Sequence, residues 1–144
     1  MSKVKVKVKK LVEDAILPLK ATKESAFYDV YAEEDTLLKN HLVTPVPTGL
    51  AFEVPSEYEI EIRPRSGLSL HKILIANSPG TLDSDYRGEL KILLLNLGNK
   101  TYLIKKGDRI AQIGVRSVPE IDFLEVDRLS ETTRGSDGFG STGR

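Results

Sequence analysis

A strict two-residue alternation in the middle of the chain limits the possible folds more than any other feature. Tyr58, Ile60 and Ile62 are each preceded by a glutamate. Successive side chains of a β-strand point to opposite faces of the sheet, so the pattern indicates a strand with one apolar and one charged face. Such a strand needs partners in a sheet, and other segments of the chain supply them.

Six further segments have the composition or alternation that is typical of strands. They span residues 4–8, 50–54, 90–95, 101–104, 110–118 and 121–126. Turn signals rich in Gly and Asn separate several of them, and only residues 66–71 resemble a short helix. Many short strands with frequent turns predict an all-β domain, either an antiparallel sandwich or a barrel.

Length and composition exclude several functional classes. The 144 residues suffice for one core, and 21 basic residues balance 21 acidic ones, so no bulk charge attracts nucleic acid or membrane. The absence of cysteine excludes disulfides, thiolate zinc sites and cysteine nucleophiles, and two histidines are too few for a histidine metal cluster. With no long apolar run and no signal peptide, we expect a cytoplasmic protein.

The composition changes after Leu129. Residues 130–144 contain four glycines, several Ser and Thr, and one large apolar residue, Phe139. Such a segment buries too little surface to order itself, so we predict a β-domain over residues 1–129 and a flexible arm over residues 130–144. A lone phenylalanine in this arm, with Arg134 nearby, suits stacking on a planar ligand.

The segment 77–89 concentrates the polar chemistry of the chain. It combines a Pro-Gly turn with two acids, an arginine and a tyrosine, and it lies between the apolar runs 73–75 and 90–95. This arrangement predicts a β-hairpin, and the exposed N–H and C=O groups of its tip could read a flat, polar base edge. Asp83 in that tip is placed to hold a water molecule and accept its proton.

Five stretches in this order resemble the motifs of the trimeric dUTP pyrophosphatase (dUTPase) family. They span residues 26–32, 63–69, 77–89, 107–112 and 134–143. The resemblance covers nearly the whole chain and implies a distorted jelly-roll-type β-barrel in a homotrimer with shared active sites. The implied enzyme hydrolyses dUTP to dUMP and diphosphate, which limits uracil incorporation into DNA and supplies dUMP for thymidylate synthesis.

The resemblance assigns the phosphate end of the site to the first, second and fourth stretches. Arg65 and Ser66 match residues that contact the phosphates, and an arginine fork suits phosphate oxygens. Gly67, in the same stretch of substrate-binding residues, lets the backbone approach the ligand closely. Asp29 and Gln112 match residues that steady the phosphates or the waters of a divalent cation. The expected cofactor is Mg²⁺, held mainly by substrate phosphates and reached by Asp29 through water.

By the resemblance, residues of the third stretch contact the base and the sugar and activate the nucleophilic water. Asp83 matches the catalytic general base, which activates the water that attacks the α-phosphorus. Asn77 and the backbone of Thr81 and Leu82 match the segment that reads uracil. Tyr86 matches the ring under the deoxyribose, which excludes a ribose 2′-hydroxyl. Asp85 would point the other way in a strand, so we expect a structural role for this second acid.

The fifth stretch resembles an arm that comes from a neighbouring subunit and closes over the nucleotide. The resemblance implies that Phe139 stacks over uracil. It implies that Arg134, Ser141 and Thr142 hold the γ-phosphate end, with Gly140 supplying backbone freedom.

Two positions carry less specific information. Lys91 falls where the family places a residue beside the nucleotide, although lysine is not diagnostic there. Phe27 stands where the first motif usually has glycine, and a phenylalanine adopts positive φ only with difficulty. Either the position accepts a side chain or the local turn differs.

Two alternatives come from different functional classes. A dCTP deaminase or bifunctional relative needs an acid/base group at the base edge, where this chain offers Asn77 and Thr81 rather than a glutamate. A non-catalytic nucleotide-binding regulator would not need Asp83 or a complete arm. Both features favour hydrolysis of dUTP.

Overall fold

A computed structural model describes residues 2–143 of the chain, and nearly all of its regular structure is β. The ten strands within these described residues are β1 (Lys7–Lys10), β2 (Tyr28–Tyr31), β3 (Thr36–Leu38), β4 (Val43–Glu53), β5 (Tyr58–Arg63), β6 (Ile73–Ile75), β7 (Gly80–Leu82), β8 (Glu89–Asn96), β9 (Tyr102–Ile104) and β10 (Arg109–Ser117). One short helix, α1 (Ser66–Leu70), follows β5. Over residues 2–143, no helix has the length and apolar character needed to cross a bilayer.

The strands form three antiparallel sheets. One has the order β1-β4-β8-β6, the second has the order β2-β10-β5-β7, and the third pairs β3 with β9. The connections repeatedly cross from one four-stranded sheet to the other, because consecutive strands such as β4 and β5 belong to different sheets. The all-β fold class is therefore confirmed, although these sheets do not close into a continuous barrel.

The core lies between the apolar faces of the two larger sheets. Ile60 and Ile62 of β5 are buried there, as the alternation predicts, while Glu59 and Glu61 alternate with them and are only partly buried. From the opposite sheet, β8 contributes Leu90, Ile92 and Leu94 at alternate positions. Alternation on both sheets gives one shared core, which is the arrangement of a sandwich.

A buried asparagine ties the smallest sheet to this core. Asn96, at the end of β8, is 1% exposed. Its amide donates to the carbonyl oxygens of Leu38 (3.0 Å) and Lys100 (2.9 Å), and its Oδ1 accepts from the backbone N–H of Gly98 at 2.8 Å. Every polar atom of this buried side chain thus has a partner, and the β8–β9 turn is fixed to β3.

The strand prediction is wrong for residues 121–126. The chain leaves the sheet after Ser117 and has no strand partner within the described residues. Its apolar side chains are exposed, with Phe123 at 90% and Leu124 at 83%. Apolar composition indicated a strand here, but the segment pairs with no strand among residues 2–143. The first strand is also displaced along the chain, since β1 spans Lys7–Lys10 rather than residues 4–8.

The hairpin prediction is correct in its pairing and wrong in its turn. β6 and β8 pair antiparallel, with Ile75 opposite Leu94. The Pro-Gly dipeptide does not form the turn between them, because Gly80 begins β7 and pairs with Ile62 of the other sheet. The segment that was expected to be a hairpin tip therefore includes a strand at the edge of the second sheet.

Candidate functional site

Asp29 occupies a fixed position in the second sheet. Its backbone exchanges two hydrogen bonds with Leu19, at 2.7 and 3.1 Å, on one side. On the other side Asp29 lies opposite Gln112 of β10. Because neighbours on both sides hold this segment, the backbone that carries the carboxylate is fixed in the sheet.

An ion pair joins Asp29 to the residues that follow β5. Arg65 Nε lies 3.1 Å from Asp29 Oδ1, and the side chain of Asp29 is only 8% exposed. The second carboxylate oxygen, Oδ2, is buried and has no hydrogen-bond partner among the described residues. A buried, unsatisfied carboxylate oxygen is costly, so this atom is available to a water molecule or to a ligand.

Gln112 completes the same cluster. Its Nε2 donates to the carbonyl oxygen of Pro64 at 2.9 Å. In the sheet register it lies opposite Arg63 on β5 and opposite Asp29 on β2. The structure therefore brings together three sequence-predicted site residues, namely Asp29, Arg65 and Gln112.

A shallow cleft of about 410 Å³ opens beside this cluster. Arg65, Gly67, His71 and Arg109 contribute to its lining. Ser66 is the exposed first residue of α1, and a Cβ added to Gly67 would meet nothing within 4 Å. Packing within the chain therefore does not require glycine at position 67, whereas close approach of a ligand would.

Sequence reasoning missed the place of Arg109 in this cleft. Arg109 belongs to the fourth motif, so the signal was present, but the pattern did not indicate which residues of that motif face the cleft. Arg109 adds a second arginine to a lining that already contains Arg65 and that also includes one acidic residue, Asp108. Two arginines favour an anionic ligand there.

The segment expected to read a base includes the edge strand β7. Thr81 lies opposite Glu61 and Leu82 lies opposite Ile60, so β5 covers only one side of this strand. An edge strand presents backbone N–H and C=O groups on its free side. Asn77 is exposed just before it.

Asp83 follows β7 in a tight turn. The N–H of Tyr86 donates to the carbonyl oxygen of Asp83 at 3.1 Å, and the Asp83 side chain is exposed. Asp85 lies in this turn rather than in a strand, so the expectation that strand alternation separates the two acids does not apply.

The ring of Tyr86 is held in place locally. Its hydroxyl donates to the carbonyl oxygen of Glu89 at 3.0 Å. A Cβ at Gly88 would lie 2.4 Å from the Tyr86 hydroxyl oxygen, so the ring lies directly over this glycine. Lys91, two residues beyond Glu89, is exposed on β8 opposite Pro47.

Within one chain, Asp83 and Arg65 lie far apart. Leu82 pairs with Ile60 on β5, so Asp83 lies near the level of Glu59, four residues before Arg63. At about 3.3 Å per residue, that separation is roughly 13 Å along β5 alone, and Arg65 lies beyond Arg63. The described chain therefore has two groups of candidate residues, one around Arg65 and the other around Asp83.

The residues of the predicted arm form a third group. Phe139 is fully exposed, and the Nε of Arg134 donates to the carbonyl oxygen of Asp137 at 2.8 Å. Ser141 donates its N–H to the carbonyl oxygen of Gly138 at 3.1 Å, while Gly140 (φ 89°) and Thr142 are exposed. All these hydrogen bonds are local, so within residues 2–143 none fixes the arm to either of the other groups.

Phe27 adopts ordinary backbone geometry, so the position accepts a side chain. It is absent from the non-glycine residues with positive φ over residues 2–143. Its ring packs on Gly114 of β10, and the guanidinium carbon of Arg63 lies 4.2 Å from the ring centroid.

Comparison with known proteins gives a consistent result. The model of the dUTPase family matches residues 13–143. Deoxyuridine 5'-triphosphate nucleotidohydrolase of Nautilia profundicola is 49% identical over 142 residues, which cover 98% of this chain and 100% of that relative. The protein of the same name from Zymomonas mobilis is 50% identical over 144 residues, covering 98% of this chain and 99% of the relative.

Solved structures agree with the sequence relatives. The dUTPase of Staphylococcus bacteriophage 80alpha with dUPNHPP has a TM-score of 0.89 and 26% identity, over 97% of this chain and 99% of that chain. A variant dUTPase of phage phi11 of S. aureus, described with a structural Mg(II) ion, has a TM-score of 0.80 and 23% identity, over 88% of this chain and 99% of that chain.

Proposed function

Because the chain belongs to the dUTPase family, it is a hydrolase that converts dUTP to dUMP and diphosphate, and we propose that Asp83 activates the attacking water. The observation that carries this proposal is the exposed Asp83 carboxylate directly after the edge strand β7. A nucleotide whose uracil binds along that strand would have its phosphates near the turn that bears Asp83. The carboxylate then orients a water towards the α-phosphorus and accepts its proton as the bond to the diphosphate breaks.

The cluster around Arg65 is proposed to hold the phosphates. Arg65 uses Nε for Asp29, and its terminal nitrogens have no hydrogen-bond partner among residues 2–143, so they are available to phosphate oxygens. Ser66 and Gly67 leave open space beside it, and Gln112 fixes the turn at Pro64.

The unpartnered Oδ2 of Asp29 fits a water of a hydrated Mg²⁺. Bound to the phosphates, Mg²⁺ would neutralise charge and stabilise the leaving diphosphate. No group of three or more His, Cys, Asp and Glu residues within 2–143 forms a cage for a metal, so the phosphates are its proposed main ligands. Asp29 is proposed to act only through water.

Recognition of the nucleoside is assigned to the segment around β7. Asn77 offers both a donor and an acceptor, as the edge of uracil requires, and the free side of β7 adds backbone groups of Thr81 and Leu82. Tyr86 is proposed to pack under the deoxyribose and exclude a 2′-hydroxyl, with Lys91 beside the nucleotide. The base that this segment is proposed to read is uracil rather than cytosine, so the expected substrate is dUTP and not the dCTP of a deaminase.

We propose that the complete site forms in a homotrimer, with its residues coming from different copies. The separation of Asp83 from Arg65 supports this, because one chain does not bring the base and the phosphate-binding cluster together. The exposed apolar side chains at 121–129 also favour contact with another copy.

The arm, residues 130–144, is proposed to close each site from a neighbouring copy of the domain formed by residues 1–129. Phe139 would stack on uracil, and Arg134, Ser141 and Thr142 would bind the γ-phosphate end. Gly140, at a φ of 89°, supplies a backbone conformation that other residues rarely adopt. Closure over the full triphosphate would exclude water from the reacting groups.

Mixing two inactive variants tests the shared site. Asp83→Asn is expected to lose turnover and keep dUTP binding, while Arg65→Gln is expected to lose phosphate binding. Joint refolding of equal amounts should restore activity at about a quarter of the sites on random assembly, because some sites receive an intact Asp83 and an intact Arg65 from different copies.

A second mixture is the matched control. Arg65 and Gln112 belong to one cluster of one chain, so Arg65→Gln refolded with Gln112→Ala should restore nothing. Recovery in the control mixture, or none in the first mixture, would contradict this assignment of residues to copies. Near-normal turnover by Asp83→Asn would show that Asp83 is not the base.

The proposed partners of the enzyme are dUTP and further copies of the chain, and neither nucleic acid nor a membrane is among them. We propose that the enzyme is located in the cytoplasm. Equal numbers of acidic and basic residues support this choice of partners, because they provide no overall attraction to polyanionic surfaces.

A further inference from the structure

We propose that Phe27 is a positioning residue, which acts through Arg63 to orient the phosphate-binding Arg65. Phe27 directly precedes β2, while Arg63 is the last residue of β5. These two strands are not neighbours, because β10 lies between them. The Phe27 ring nevertheless reaches the guanidinium of Arg63, whose Cζ lies 4.2 Å from the ring centroid.

Gly114 makes this contact across the middle strand possible. A Cβ at position 114 would lie 2.6 Å from Cε1 of Phe27 and 2.7 Å from Cζ. Real Cβ atoms essentially never approach another atom so closely, so any side chain there would displace the ring. Gly114 is absent from the positive-φ glycines, and the requirement is therefore for space alone.

The guanidinium of Arg63 is also held by a carboxylate. Its Nη2 donates to Glu61 Oε2 at 3.0 Å, and Arg116 Nη1 lies 3.6 Å from the same carboxylate oxygen. The guanidinium thus lies over an aromatic face and donates to a carboxylate, two contacts that together restrict its long side chain.

Two neighbouring side-chain contacts join the region of β2 to the end of β5, and the second contact includes the arginine proposed to bind phosphate. Phe27 contacts Arg63, and two residues further along each segment Asp29 contacts Arg65. Pro64 lies between the two arginines, with its φ restricted by its ring and its carbonyl oxygen bound by Gln112. A fixed Arg63 therefore limits the directions in which Arg65 can leave the turn. This inference rests on the proposed role of Arg65 in binding phosphate.

Steady-state kinetics of Phe27→Leu, with Phe27→Tyr as the conservative control, test the proposal. Loss of the aromatic face should raise KM for dUTP about two- to fivefold and change kcat less. Inhibition by diphosphate should weaken to a similar extent, whereas inhibition by deoxyuridine should not change. Phe27→Tyr should behave like the parent. A merely structural role would weaken inhibition by both compounds.

Two further variants test the path through Gly114 and Arg63. Gly114→Ala should reproduce the kinetic pattern of Phe27→Leu, because its methyl group displaces the ring, and it decides the question alone if Phe27→Leu does not fold. In an Arg63→Gln background, Phe27→Leu should cause no further rise in KM.

Failure of the proposed role of Phe27 can be distinguished from failure of the proposed dUTP hydrolysis. An active parent whose Phe27→Leu and Gly114→Ala variants keep the parental KM and diphosphate inhibition would overturn this inference and leave the proposed function intact. Additive effects of Phe27→Leu and Arg63→Gln would also overturn it. A parent that does not hydrolyse dUTP would remove the proposed function and this inference with it.

Discussion

Arg65 Nε lies 3.1 Å from Asp29 Oδ1, and this ion pair joins a partly exposed arginine after β5 to a buried strand position. Only one oxygen of the carboxylate is used, since Oδ2 has no partner among residues 2–143. The arrangement orients the guanidinium while leaving hydrogen-bonding capacity on both partners. It is therefore suited to receive a charged ligand and its hydration shell.

Replacement of Asp29 tests this arrangement. Asp29→Asn keeps the shape but removes the charge that orients Arg65, so KM for dUTP should rise about tenfold and the Mg²⁺ concentration for half-maximal activity should increase. Asp14→Asn is the matched control, because it removes an exposed carboxylate that is also paired with a cation, Lys106, and should change neither value. An unchanged Mg²⁺ dependence in Asp29→Asn would contradict the water-mediated role.

Replacement of Tyr86 tests the discrimination between deoxyribose and ribose. Tyr86→Ala should lower the ratio of kcat/KM for dUTP to that for UTP by about tenfold or more, because a 2′-hydroxyl would no longer be buried without a partner. Tyr86→Phe keeps the ring, loses only the hydrogen bond to Glu89, and should keep most of the discrimination. An unchanged ratio in Tyr86→Ala would exclude Tyr86 as the sugar-reading residue.

Removal of residues 130–144 tests the arm. Its hydrogen bonds are local, so the truncated chain should keep the assembly state and the thermal midpoint of the full chain. Its kcat/KM for dUTP should fall about tenfold or more, because the site would no longer close. Kinetics unchanged by truncation would show that the arm has no part in turnover.

Replacement of Asn96 tests the polar connection between the sheets. Asn96→Ala leaves the buried carbonyl oxygen of Leu38 without its partner and should lower the free energy of unfolding by about 1–3 kcal/mol. Asn99→Ala, at an exposed position in the same turn, should have little effect. Chemical denaturation measures the free energy of unfolding of both variants. The protein concentration must be the same in each experiment, because assembly contributes to apparent stability. Equal stability of the two variants would contradict the role of Asn96.

Alternation of apolar and polar residues predicted the strands in which one face is buried and the other is polar. The alternation around Ile60 identified β5 because one face of that strand is buried and the other is polar. The same reasoning failed at residues 121–126, where apolar composition indicated a strand but, within the described residues, the segment pairs with none. It also failed at Pro79 and Gly80, because the pairing of Gly80 with Ile62 depends on a contact with a distant segment.

The sequence named Asp29, Arg65 and Gln112 from their motifs, and the structure brings these three residues together. The sequence did not reveal that Asp83 and Arg65 lie apart in one chain, since their distance depends on the register between β5 and β7. Nor did it show how Phe27 is accommodated. That depends on Gly114, which lies 87 residues further along the chain and adjoins Phe27 only after β2 pairs with β10.

Parallel assays of diphosphate release from dUTP, dTTP, dCTP and UTP, each with and without Mg²⁺, test the central claim most directly. We predict rapid, Mg²⁺-dependent release from dUTP and little from the other three, because the same site reads the base, the sugar and the phosphates. Equal release from all four nucleotides would contradict the proposed recognition of uracil and deoxyribose. No release from dUTP would contradict the proposed function itself.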